Sequence, residues 1–140
     1  TQGVVGGIVL RVDGAGTNEP GRKLAGYRIR PDTERSLTQP LLRELLALVR
    51  SADGFDDSII KRCRPGISVG FVLSKEPVDG SSAGEPPSKL VLDFGCNRLT
   101  LENVNADPDA LASYFDPSRA AFVDLVQRAL PEDNELNSLN

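Results

Sequence analysis

The residues best equipped for chemistry in this chain of 140 residues are two cysteines, Cys63 and Cys96, in a sequence with no histidine. Two thiols that meet in space form either a disulfide staple or a redox pair. Without histidine, most nucleophile–base catalysis and most zinc sites lose their usual partner. Arg62 and Arg64 flank Cys63 and would lower its pKa, the requirement for a reactive thiol. A spacing far from C-x-x-C argues against thioredoxin-like exchange. The pair therefore reads as a buried disulfide or two inert thiols, with a redox switch as the functional alternative. A closed loop of about 33 residues would stabilise the fold by about 3–4 kcal/mol in the chain-entropy model.

A second set of candidates is charged. By strand phase, Arg11, Arg28, Arg30 and Arg98 point away from the helices, and Asp93 joins them. Ser68, Gly70 and Gly95 are small neighbours on that face. An arginine-lined sheet with small residues can receive a carboxylate, a phosphate or the acidic surface of a partner. The plainer reading is a solvated face laced with cross-strand ion pairs. Asp53, Asp56 and Asp57 cluster in SADGFDD, but the run lacks the calcium-loop spacing and reads as a helix-end turn. GVVGGIVL contains no dinucleotide fingerprint, and there is no phosphate-binding P-loop pattern. Ser113 and Ser118 have no histidine partner and no nucleophile-elbow context. No catalytic constellation, metal site or cofactor site emerges, so the sequence reads as that of a non-enzyme.

These residues must be positioned by about five strands and three helices. Val4 to Val12 alternates as a strand, with Ile8, Leu10 and Val12 expected inward. Leu24 to Arg30 reads as its hairpin partner across the turn-rich run from Asp13 to Arg22. A helix begins near Thr38, a capping residue followed by Pro40 in the first turn, and carries a wide leucine stripe. Two further strands run from Ile67 to Ser74, where Ile67, Val69, Phe71 and Leu73 alternate with Ser68, Gly70, Val72 and Ser74, and from Lys89 to Cys96, with Leu90, Leu92, Phe94 and Cys96 on the core face. Between them lies a Pro/Gly/Ser loop over 75–88, expected to be flexible. A fifth strand spans Arg98 to Val104, with Leu99 and Leu101 inward. Asp107-Pro108 and Asp116-Pro117 each signal a helix start. The second of these helices carries Phe122, Leu125, Val126, Ala129 and Leu130 at helical spacing. Leu136 and Leu139 would anchor a frayed last turn. The order ββα-βββ-αα predicts an α+β fold, an antiparallel sheet with helices packed on one face, in a single domain over 1–140. If the strands on either side of the long loop pair, Cys63 lies near the end where Cys96 sits.

Composition narrows the functional classes. The net charge is −4, with eight basic and five acidic residues in 1–50 but two basic and eight acidic in 101–140. An acidic chain without a basic run is a poor nucleic-acid binder, because phosphate neutralisation drives that binding. No apolar stretch approaches the roughly 20 residues of a membrane-spanning helix. Methionine is absent even at position 1, which reads as a processed start, by loss of a signal peptide or by excision. An even cysteine count favours an exported, periplasmic or lipid-anchored protein over a cytoplasmic one.

The runs KRCRPGISVGF, LVLDFGCN and FDPSRAAFVDLVQRALP resemble a group of uncharacterised bacterial proteins, many of them exported or lipid-anchored. In that group a cysteine followed by Pro-Gly precedes one strand and a Phe-x-Cys phrase ends the next. The likeness covers about residues 61–131; it implies the strand pairing and the nearness of Cys63 to Cys96, and no activity. The expectation is thus a binding or structural module, of inhibitor or immunity type, contacting an anionic or protein partner through its sheet face. The alternative is a thiol-disulfide sensor using Cys63 and Cys96.

Overall fold

A computed structural model describes residues 4–13, 22–56, 64, 66–75, 87–102 and 112–140. The fold is mixed α and β, built on one antiparallel sheet whose strands follow the order β2-β3-β1-β5-β6-β7-β8, with β4 also paired to β1. The strands are β1 (Val4–Asp13), β2 (Lys23–Leu24), β3 (Tyr27–Ile29), β4 (Arg35–Ser36), β5 (Ser68–Lys75), β6 (Ser88–Asp93), β7 (Arg98–Glu102) and β8 (Ala112–Tyr114). The helices are α1 (Gln39–Arg50), α2 (Arg119–Ala129) and the short α3 (Asn134–Asn137). The strand count exceeds the five expected. β4 and β8 are too short to show an alternation, and the expected strand at 24–30 is interrupted. Ala25 and Gly26 both take positive φ, 50° and 84°, and Lys23 pairs with Arg28 while Leu24 pairs with Tyr27. Two successive positive-φ residues make the tight turn whose twist suits a hairpin, so the segment folds back on itself.

The helical elements start where expected. Thr38 accepts a hydrogen bond from the Leu41 N–H at 3.4 Å, and α1 buries Leu42 and Leu45. α2 follows a single 3₁₀ turn at Asp116–Ser118 and buries Phe122, Val123, Leu125 and Val126. Leu136 on α3 is fully buried, and Gln127 donates from its side-chain amide to the Leu136 and Leu139 carbonyls. The last turn is therefore docked rather than frayed. The expected helix at Asp107-Pro108, most of the 75–88 loop, and Cys63 lie outside the described residues.

The principal core lies between the sheet and the helices. Val9, Val69, Phe71, Leu73, Leu90, Leu92 and Leu99 meet Leu42, Leu45, Phe122, Leu125 and Val126 there. Phe94, Phe115, Phe122 and Phe55 form a chain of ring contacts, with centroids 5.4, 5.0 and 6.2 Å apart. Each fully buried side chain of this size contributes about 1.5–3 kcal/mol. The phase expected for β5, β6 and β7 is the observed one: Val69, Phe71, Leu73, Leu90, Leu92 and Leu99 all face the helices.

The opposite face of the sheet is also covered. Leu10, Val12 and Val91 pack with Leu24 and Tyr27 of the β2–β3 hairpin in a second, smaller core. Gly70 makes this possible: a Cβ there would collide with the Leu24 side chain. The phase expected for β1 is reversed as a result. Val9 and Arg11 face the helices, while Leu10 and Val12 face the hairpin.

Candidate functional site

The five charged residues expected on one open face are divided between two clusters. Two of them are buried, which corrects the expectation that they present themselves to solvent. Arg11 is only 2% exposed and Asp93 only 1%.

Asp93 ends β6 beneath the hairpin. Its Oδ1 accepts the backbone N–H groups of Gly66 and Gly95, both at 2.9 Å, and its Oδ2 accepts the Tyr27 hydroxyl at 3.1 Å. Arg98 lies opposite Asp93 in the β6–β7 register. Burial, and then the charge and hydrogen bond of Asp93, push the Tyr27 hydroxyl well above its ordinary value of 10.0. This cluster fastens three segments together: the β2–β3 hairpin, Gly66 just ahead of β5, and the β6–β7 turn. The fastening explains two glycines. A Cβ on Gly66 would lie 2.7 Å from the Gly95 Cα, and one on Gly95 would meet the Gly66 backbone and lie 2.7 Å from the Arg64 carbonyl oxygen. Backbone rests on backbone at this point, so neither position has room for a side chain.

Cys96 follows in the same turn. It is 7% exposed, and its Sγ lies 3.7 Å from the Arg64 carbonyl oxygen. Cys63, the expected partner and the residue preceding Arg64, is outside the described residues.

Arg11, Arg28 and Arg30 belong to a chain of alternating charges. Arg28 Nη2 reaches Asp13 Oδ2 at 3.0 Å, and Arg30 Nε reaches Asp13 Oδ1 at 2.8 Å. Arg30 Nη1 then meets Glu135 at 2.8 Å, which also lies 3.4 Å from Arg11 Nη1. Arg11 Nη1 ends the chain on Asp133 Oδ2 at 2.7 Å, while its Nε donates to the Ser68 carbonyl at 3.1 Å. The Arg30 hydrogen bond and the Arg11 charge hold Glu135 below the usual carboxylate range. Burial would raise Asp133 and Asp13, but hydrogen bonds from Arg11 to the first, and from Arg30 and Arg28 to the second, outweigh it and lower both. The β1–β3 edge is thereby tied to the segment that opens α3.

Two open depressions flank the Pro31–Ser36 segment. The larger, about 820 Å³, is lined by Arg22, Arg28, Arg35, Asp32 and Glu34, with Ile29 and Pro31 as its apolar part. Arg35 donates to the backbone carbonyls of Asp32 at 3.5 Å and Glu34 at 2.7 Å. Arg22 makes one long contact with Glu34 at 3.5 Å, both side chains being well exposed. Sequence reasoning missed Arg22 and Arg35 because it assigned both to connections. The charge surplus of 1–50 was the available signal. The second depression, about 500 Å³, lies between the Asp32–Ser36 segment and the Ala129–Asp133 turn.

Among the described residues no group of three or more His, Cys, Asp or Glu is placed to hold a metal ion, and no helix is long and apolar enough to cross a membrane. No protein-family model, curated protein or solved structure matches this chain.

Proposed function

We propose that the protein is a non-enzymatic binding module that engages the acidic surface of a protein partner through the arginine-lined cleft beside β3 and β4. The observation that carries this reading is the convergence of Arg22, Arg28 and Arg35 on one open cleft. Among the described residues the Arg35 guanidinium contacts backbone carbonyls alone, and so retains donors for a carboxylate. A planar guanidinium with spare donors recognises carboxylates in a fixed geometry, which gives specificity as well as attraction. Ile29 and Pro31 supply apolar contact at the same place. The binding face is thus moved from the sheet surface to its edge, because the sheet surface is occupied by the hairpin. Asp93, the carboxylate best placed for catalysis in the sequence, has both oxygens engaged by structural donors. An inhibitor or immunity-type role is one concrete form of such a module.

A labelled oligo-glutamate peptide serves as a surrogate for the acidic partner. It is expected to bind the native protein at low salt, to weaken as ionic strength rises, and to be lost in the double variant Arg22→Glu, Arg35→Glu. Equal binding to both proteins refutes the proposal.

For Cys63 and Cys96 we infer a disulfide staple in an exported protein, in preference to a redox sensor. The burial of Cys96 and its contact with Arg64 support this, since a sensor thiol must be accessible. A thiol count on native and denatured protein without reductant, with intact mass, decides it. No free thiol in a monomer supports the staple, and a fast-reacting native thiol supports the sensor.

A further inference from the structure

We propose that the smaller depression, between the Asp32–Ser36 segment and the Ala129–Asp133 turn, is a binding site for a small amphoteric ligand of the amino-acid class. Its volume of about 500 Å³ suits an amino acid or a dipeptide. Two guanidinium groups line it, from Arg11 and Arg35. Arg11 is 98% buried by its 2% exposure, yet it reaches this depression. Its contacts are made by Nε and Nη1, to Ser68, Asp133 and Glu135, and leave Nη2 without a partner among the described residues. Nη2 is not a sealed, unsatisfied nitrogen, so it keeps access to solvent at the depression and can donate to a ligand there. Among the described residues Arg35 bonds only to backbone carbonyls, which leaves donors for the depression it lines.

The same depression carries three carboxylates, from Asp32, Glu132 and Asp133. Asp133 is neutralised by Arg11 at 2.7 Å. Asp32 and Glu132 line the same depression as Arg35, and this excess of carboxylates disfavours a phosphate or any other dianion. A ligand with one carboxylate and one ammonium group satisfies both signs. The carboxylate is taken by Arg11 and Arg35, and the ammonium by Asp32 and Glu132. Leu130 and Pro131 supply an apolar wall for an aliphatic side chain. The site is separate from the partner cleft, and only Arg35 and Asp32 border both.

Titration of the isotope-labelled protein with L-leucine, followed by amide chemical shifts, tests the proposal. Saturable shifts are expected at Asp32, Thr33 and Glu132 by about 10 mM ligand, the range of weak metabolite binding. Glu132→Gln is expected to weaken leucine at least about fivefold, the loss of one charged partner. The same variant should leave the oligo-glutamate surrogate unaffected, and Arg22→Glu should do the reverse. N-acetyl-leucinamide, which lacks both charges, should not bind. The proposal is overturned if leucine gives no saturable shifts, if N-acetyl-leucinamide binds equally, or if inorganic phosphate displaces leucine.

Discussion

Replacing Asp133 by Asn tests how the C-terminal segment is held. Asn keeps the shape of the side chain and its capping oxygen, since Asp133 Oδ1 accepts the Leu136 N–H at 3.1 Å. What changes is the charge facing Arg11, a side chain 2% exposed and 2.7 Å from the carboxylate. Breaking a buried ion pair from one side costs about 3–5 kcal/mol, because the remaining charge stays desolvated. Glu135 at 3.4 Å, itself half exposed, compensates in part, so a loss of about 2–4 kcal/mol is expected. Arg11→Met removes the buried charge itself and leaves Asp133, 19% exposed, free to rehydrate. It forfeits the Ser68 hydrogen bond but should cost less, about 1–2 kcal/mol. Urea unfolding at pH 7 measures both as a fall in midpoint at constant slope. The reasoning fails if Asp133→Asn lies within about 0.5 kcal/mol of the native protein, or if Arg11→Met is the more damaging. The same groups set an acid limit. Asp133 and Glu135 are lowered from 3.8 and 4.5 in the folded state. The folded protein therefore binds their protons less tightly than the unfolded chain. Their contribution is complete above about pH 5 and is lost as pH falls through the lowered values. Arg11→Met should flatten that acid limb.

Tyr27→Phe deprives the buried Asp93 of its hydroxyl donor and is expected to cost about 1–3 kcal/mol in the same assay. At alkaline pH the sign reverses: a Tyr27 value raised above 10.0 gives stability that is present below pH 10 and lost as pH rises beyond it. Absorbance of the tyrosinate should show Tyr27 ionising only with unfolding. Gly95→Ala forces a Cβ onto the Gly66 and Arg64 backbone, for an expected loss of about 1–3 kcal/mol. Gly6→Ala, with nothing within 4 Å of the added carbon, should change stability by less than about 0.5 kcal/mol.

Local chemistry in the sequence determined the pieces. The Thr38 cap with Pro40 set the start of α1, and alternation set the inward phase of Val69, Phe71, Leu73, Leu90, Leu92 and Leu99. The apolar spacing in 119–130 set the buried side of α2, and the antiparallel α+β class followed from these. Tertiary structure alone decided which face of β1 meets which core. Residues 8 to 12 alternate between apolar and part-apolar sets, Ile8, Leu10 and Val12 against Val9 and Arg11. Such a pattern reads outward or inward with equal ease when both faces end up covered. The covering element is a hairpin turning on Ala25-Gly26, and its fit depends on Gly70, about forty-five residues away in sequence. The fates of Arg11 and Asp93 are non-local for the same reason. Arg11 is buried because Asp133 and Glu135 arrive from the far end of the chain, and Asp93 because Tyr27, Gly66 and Gly95 converge on it. A charged residue on a strand reads as exposed until its partners are known, and hydrophobic periodicity carries no information about partners that distant.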